Sequence, residues 1–277
     1  MIKRPFILAL IQIITIPLFV SISLPAEEIV QSIWTAAPLQ IDGQIEDWAG
    51  AAVTSEKSAG VDYAFRNDGR DLYVLLIFKN PKFLSSIDKT GVTIYASTSG
   101  KKDKDMGVRF IKKIVSGAQL IEYMEKMGQP LAEERKLQLK DAPQVVLFTG
   151  TALNKKGEEV FPPGPVPDID LPGFRYGQQE NTIIYEFRIP LVARDDHPTG
   201  IGAEPGKDLK IGFEWGGLTK EMKEAMKGQA RGTSIGADAN RDEQTTGTNI
   251  LDSPISTGPS GPKKYSFWAD VKLAQAQ

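Results

Sequence analysis

Val61-Asp62-Tyr63-Ala64-Phe65-Arg66-Asn67-Asp68-Gly69-Arg70-Asp71-Leu72-Tyr73-Val74-Leu75-Leu76-Ile77-Phe78-Lys79 is the stretch on which the fold turns. Its first run, 61–66, puts Val61, Tyr63 and Phe65 on one face, the period-two pattern of a half-buried strand. Asn67 to Asp71 has the composition of a turn, and the second run, 72–79, is apolar at almost every position. The two runs read as a β-hairpin whose second strand is central and buried on both faces.

Outward from the hairpin the chain continues in the same register of signals. Pro38 to Gly43 alternates and ends on Asp-Gly, which predicts a short first strand. Runs 92–98, 108–114, 145–149, 182–189, 209–215 and 265–273 are rich in β-branched and aromatic residues. About nine strands in all point to an all-β, antiparallel sandwich of the jelly-roll type. Leu120, Met124, Met127 and Leu131 recur at helical spacing and predict a short inserted helix. Thr219 caps a second helical turn carrying Met222 and Met226. Methionine at such spacing is ordinary core filler. Two long loops stand out, Phe161 to Gly173 dense in proline and Gly228 to Pro262 dense in Gly, Ser, Thr and Asn, the second expected to be mobile.

The opening residues Met1-Ile2-Lys3-Arg4 precede an uncharged apolar run from Pro5 to Pro25, the order of a secretory signal. Residues 1–26 are expected to be removed on export to the periplasm, cell surface or medium, unless the run stays as a membrane anchor. Residues 27–277 then form one domain. The formal net charge of −2 and the pI of about 5.7 offer no basic field for nucleic acid or anionic lipid. Cysteine is absent despite the oxidising destination, so stability rests on packing.

Taken together and in order, Ile41-Asp42-Gly43-Gln44-Ile45-Glu46-Asp47-Trp48, the hairpin with Asp68-Gly69-Arg70-Asp71-Leu72-Tyr73-Val74, then Tyr185-Glu186-Phe187-Arg188-Ile189-Pro190 and the closing strand 268–273 resemble the family 9 carbohydrate-binding modules and their DOMON-like relatives. The resemblance implies an antiparallel sandwich that binds poly- or oligosaccharide without catalysis, often beside a glycoside hydrolase and sometimes with a structural Ca2+. The paired loop tryptophans with which binding members grip a sugar have no clear counterpart here.

Sugars stack their C–H faces on aromatic rings, which directs attention to the four tryptophans. Trp48 follows the Ile-Asp-Gly turn, where the family uses it for packing, and Trp34 precedes the first strand with no assigned role. Trp215 shares the phase of Ile211 and Phe213 and reads first as core. Trp268 falls with Ser266, Asp270 and Lys272 on the polar face of its strand, opposite Phe267, Val271 and Leu273. Trp268, Trp215, Tyr73 and Arg66 are the candidate ligand-binding residues, with Tyr73, like Trp215, read first as core. Asp68 and Asp71 are candidate oxygen ligands for Ca2+. His197, the single histidine, sits in Asp195-Asp196-His197-Pro198 and reads as surface, since a histidine zinc site wants more than one imidazole. Two other readings stand beside sugar binding. One is an envelope scaffold that has lost its sugar cleft. The other is a haem-binding relative ligated through Met106, Met124, Met127 or His197.

Overall fold

The computed structural model describes residues 29–84, 86–104, 106–164, 171–193, 199–218, 222–223 and 262–276. The expected signal segment, Asp195 to Pro198, Thr219, Met226 and nearly all of the 228–262 loop lie outside these residues. In chain order the strands are β1 Ile29–Gln31, β2 Ile33–Trp34, β3 Thr54–Glu56, β4 Val61–Asn67, β5 Asp71–Phe78, β6 Val92–Ser97, β7 Gly107–Val115, β8 Val145–Leu153, β9 Glu159–Val160, β10 Gly173–Gln179, β11 Thr182–Pro190, β12 Asp208–Gly216 and β13 Lys264–Lys272. Among the described residues the α-helices are α1 Ile87–Thr90, α2 Gly117–Lys126 and α3 Glu133–Lys140.

The strands form a β-sandwich, the expected all-β class. One sheet runs β1-β13-β12-β6-β7-β8-β9, and the other runs β10-β11-β5-β4-β2 with β3 also paired to β4. Pairing is antiparallel except at two edges, where β1 joins β13 and β2 joins β4 in parallel. The core lies between the sheets. Val61, Tyr63 and Phe65 of β4 and Leu72, Val74, Leu76 and Phe78 of β5 meet Ile211, Phe213 and Trp215 of β12 and Phe267, Ala269 and Val271 of β13.

β5 is buried along its whole length, as its unbroken apolar run requires. Its outward side chains Tyr73, Leu75 and Ile77 join Trp48, Ala64 and Ile184 in a second cluster, with Leu39, Ile41 and Ala51 packed on it. The segment 39–51 therefore covers the outer face of the smaller sheet. This corrects the expected strand over Pro38 to Gly43, which pairs with neither sheet. The amides of Asp42 and Gly43 donate to the Glu186 carboxylate at 2.9 and 2.6 Å, and Trp48 Nε1 donates to its other oxygen at 2.6 Å. Gly43 is held at φ +87° with its α-carbon against the backbone of Tyr176, where a β-carbon would come within 2.5 Å of the carbonyl carbon. Only glycine fits both conditions.

The inserted helix is a pair. α2 opens with a capping box, Ser116 Oγ accepting from Gln119 N at 3.2 Å while Gln119 Oε1 accepts from Ser116 N at 2.9 Å. α3 escapes the sequence reading because Glu133-Glu134-Arg135-Lys136-Leu137-Gln138-Leu139-Lys140 has almost no apolar period. Lys136 ties it to Glu125 of α2 and to its own Glu133, both at 3.0 Å.

Candidate functional site

The outer face of the seven-stranded sheet is built from the alternate residues of its central strands. In β13 Tyr265, Phe267, Ala269 and Val271 are buried, while Ser266, Trp268 and Asp270 point away from the core. In β12 the outward set is Lys210, Gly212 and Glu214, in β6 Thr93, Tyr95 and Ser97, and in β7 Gly107 and Arg109. The ladder aligns Trp268 with Gly212, Gly212 with Tyr95 and Tyr95 with Gly107.

That alternation of ring and glycine makes a platform. A β-carbon at Gly212 would come within 2.7 Å of the Trp268 ring, and one at Gly107 within 2.9 Å of the Tyr95 ring. Each aromatic therefore leans across the bare backbone of its neighbour instead of standing off the sheet. The two rings lie 6.3 Å apart at 23°, close to parallel. Trp268 is half-buried, which leaves part of its ring open.

Two residues further along the strands, about 7 Å away, the next ladder row reads Ser266, Glu214, Thr93 and Arg109. A cleft of about 920 Å3 opens here, lined by Thr93, Arg109, Glu159, Glu214 and Lys264 among others. Several of its charges are paired: Arg109 bonds Glu159, and Glu214 takes the ammonium groups of Lys264, at 2.8 Å, and Lys104. The Lys104 ammonium also sits 4.8 Å from the centre of the Tyr95 ring. Burial and then the nearby Glu214 push the Tyr95 hydroxyl up to about 12, so it stays a neutral donor.

Burial works to raise the Glu214 carboxyl, and the two lysines outweigh it, so the group sits below its ordinary 4.5. A depressed folded value means stability that is present above pH 4.5 and lost as pH falls through the folded value. The lysines are half-exposed, so the pair contributes no more than about 1 kcal/mol. Thermal melts from pH 7 down to 3 should show this acid-side loss in the native protein and a smaller one in Glu214→Gln.

α2 covers a different part of this face. Tyr123 reaches the hydroxyls of Thr151 and Thr149 on β8, and its own hydroxyl is pushed up by burial. The inserted helix therefore lies toward β8, away from Trp268 on β13.

The four candidate ligand residues do not come together. Trp215 is 2% exposed inside the core, its Nε1 donating to the Phe83 carbonyl at 2.7 Å, and offers no free ring face. Tyr73 is fully buried on the opposite side of the sandwich, beneath the 39–51 segment. Arg66 lies on that same opposite face and donates to the Ala49 carbonyl at 2.6 Å, strapping the covering segment. Trp268 alone occupies an open aromatic position, with Tyr95 as the partner that sequence reasoning missed.

The hairpin carboxylates are likewise structural. Asp68 Oδ1 accepts from the amides of Arg70 and Asp71, both at 2.7 Å, and Oδ2 accepts from Tyr73 Oη at 2.9 Å. Asp68 and Asp71 are both buried, and among the described residues no three His, Asp or Glu side chains gather for a cation. Asp68, one of the two expected Ca2+ ligands, thus clasps a tight turn with both carboxylate oxygens. Met106 packs against the main core and Met127 is buried with Leu171, Tyr123 and Phe161, in two separate clusters. One pattern runs against the non-catalytic expectation: Gly232-Thr233-Ser234-Ile235-Gly236 has the spacing of a nucleophile elbow. No β-rich run precedes it, as an elbow requires, and both it and His197 lie outside the described residues.

No family model matches the chain, and no curated protein does. Among solved structures it is similar to a family 9 carbohydrate-binding module from Caldicellulosiruptor kristjanssonii in complex with glucose. That match has 11% identity and a TM-score of 0.29 and covers 68% of this chain and 77% of that one. It is also similar to a family 9 module from the same organism in complex with cellotriose, at 8% identity and a TM-score of 0.33, covering 90% and 95%. At these values the likeness gives no residue of this chain a role, and the bound sugars belong to those proteins alone.

Proposed function

We propose that the protein is a non-catalytic carbohydrate-binding module that holds a poly- or oligosaccharide on the outer face of its larger sheet. The observation that carries this reading is Trp268, laid across Gly212 beside Tyr95 and one ladder row from a polar cleft. A flat ring next to paired charges and hydroxyls matches the two needs of a sugar, an apolar C–H face to stack and hydroxyls to hydrogen-bond. In this reading one pyranose stacks on Trp268. Neighbouring hydroxyls then reach Ser266, Thr93, Arg109 and the Lys104-Glu214-Lys264 group. Export of the chain through residues 1–26, and work beside a glycoside hydrolase, are parts of the same proposal.

Affinity electrophoresis and calorimetry against soluble β-glucans, xylans and their oligosaccharides test it. Trp268→Ala should weaken binding by about 10- to 100-fold, on the scale of 1–3 kcal/mol for one stacked ring, while the ring's place outside the core between the sheets makes the loss of stability smaller than for a core tryptophan. Retention by no glycan, or equal retention by the variant, sinks the proposal. In that case the envelope scaffold becomes the better reading.

A further inference from the structure

The sandwich gapes at the end where β7 and β8 face β10. Counting along β7, the inward positions are Val108, Phe110, Lys112 and Ile114. The first two are buried, yet Ile114 is 64% exposed, and its ladder partner Val146 on β8 is 52% exposed. Apolar side chains on the core-facing phase thus run out into solvent. Behind them a cavity of about 270 Å3 runs in between the sheets, walled by Ile87, Val92, Phe110, Phe174 and Tyr185. It lies on the inner side of the larger sheet, opposite the face that carries Trp268.

A lysine on the inward phase is the unexpected feature. Lys112 Nζ crosses the gap and donates to the Tyr176 hydroxyl of β10 at 2.8 Å, 5.3 Å from that ring's centre. Its partner there is a hydroxyl and not a carboxylate, so the ammonium at this half-buried mouth can still take an anion. Holding a charge against apolar surface costs free energy that a bound counter-charge would offset. Arg175 adds a second cation nearby, 4.7 Å from the Phe148 ring. Asp88 of α1 shares the lining and is the group an anionic ligand must avoid.

We propose that this cavity is a second ligand site, one that takes a small single-ring aromatic carboxylate. The ring enters between Phe110, Phe174 and Tyr185, whose edges and faces suit another aromatic. The carboxylate stays at the mouth on Lys112. A volume just under the roughly 300 Å3 lower bound of ordinary ligand pockets limits the guest to one ring and a short arm.

The test uses trans-cinnamate as probe and cinnamyl alcohol as its uncharged analogue, followed by calorimetry and by the shift in melting temperature. Cinnamate should bind saturably and the alcohol at least about tenfold more weakly. Lys112→Met should weaken cinnamate by about 10- to 100-fold, the scale of a hydrogen bond to a charged group. Ile114→Glu, at an exposed position that the fold does not need, should weaken it as well by placing a like charge in the mouth. Absence of saturable binding, equal binding of acid and alcohol, or binding unchanged in both variants overturns the proposal. So does a concentration-dependent dimer that Ile114→Glu dissociates, since the mouth would then be an interface between two copies of the chain.

Discussion

Glu186→Ala should destabilise the protein by about 3 to 5 kcal/mol, lowering the melting temperature by about 6 to 20 °C. The side chain is fully buried and accepts three donors, the amides of Asp42 and Gly43 and the indole of Trp48. Alanine leaves all three without an acceptor, and each orphaned buried donor costs about 1–3 kcal/mol before water relieves part of it. Those donors all lie on the segment covering Tyr73, Leu75 and Ile77, so the lost bonds and the lost apolar cover fall together. Glu186→Gln keeps one acceptor oxygen and should lose roughly half as much. Urea melts with tryptophan fluorescence report the release of Trp48 directly. A loss under 1 kcal/mol in Glu186→Ala means that the covering segment is held by packing alone.

The same residue has a pH signature opposite in sign to that of Glu214. Burial raises its carboxyl above the ordinary 4.5, and the Trp48, Gly43 and Asp42 donors pull it only part of the way back. With the folded value the higher one, protonation favours the folded state. Its contribution is complete below pH 4.5 and is lost as pH rises through the folded value. Glu186→Gln removes that dependence, whereas Glu214→Gln lessens the acid-side loss.

Trp215→Ala should cost about 3 to 5 kcal/mol, the range for truncating a large buried aromatic. The indole stacks on Tyr265 at 5.6 Å and 22°, meets the edges of Phe78 and Phe267, and donates to the Phe83 carbonyl. It thereby ties β12 to β5 of the facing sheet and to the turn after β5. Its strand phase, shared with Ile211 and Phe213, sets it apart from Trp268 on the polar face of its strand, and Trp268→Ala should cost less stability. Guanidinium unfolding of the two variants side by side checks the contrast, and comparable losses would place both rings in the core.

The sequence by itself determined the class of fold and, for the runs 72–78 and 265–273, which side chains face which way. The period of two over 265–273 separated Trp268 from Phe267, and the unbroken apolar run 72–78 announced burial on both faces of β5. Both follow from local geometry, because successive side chains of a strand point to opposite faces whatever lies beyond them. The same rule placed Tyr95 on the polar face between Thr93 and Ser97, so this member of the platform was readable in phase although it went unread. Tertiary structure alone decided what lies over each face. Pro38 to Gly43 alternates like a strand, but the Glu186 carboxylate, 143 residues beyond Gly43, captures its amides before any neighbouring strand does. Tyr73 and Arg66 were candidates until that segment settled over them. The aromatic platform depends on Gly212 and Gly107 standing beside the rings in the ladder, and the Lys112 cavity on β10 facing β7 across an open end. Pairings between distant strands are fixed by the packing of the whole core, and no local pattern of residues encodes them.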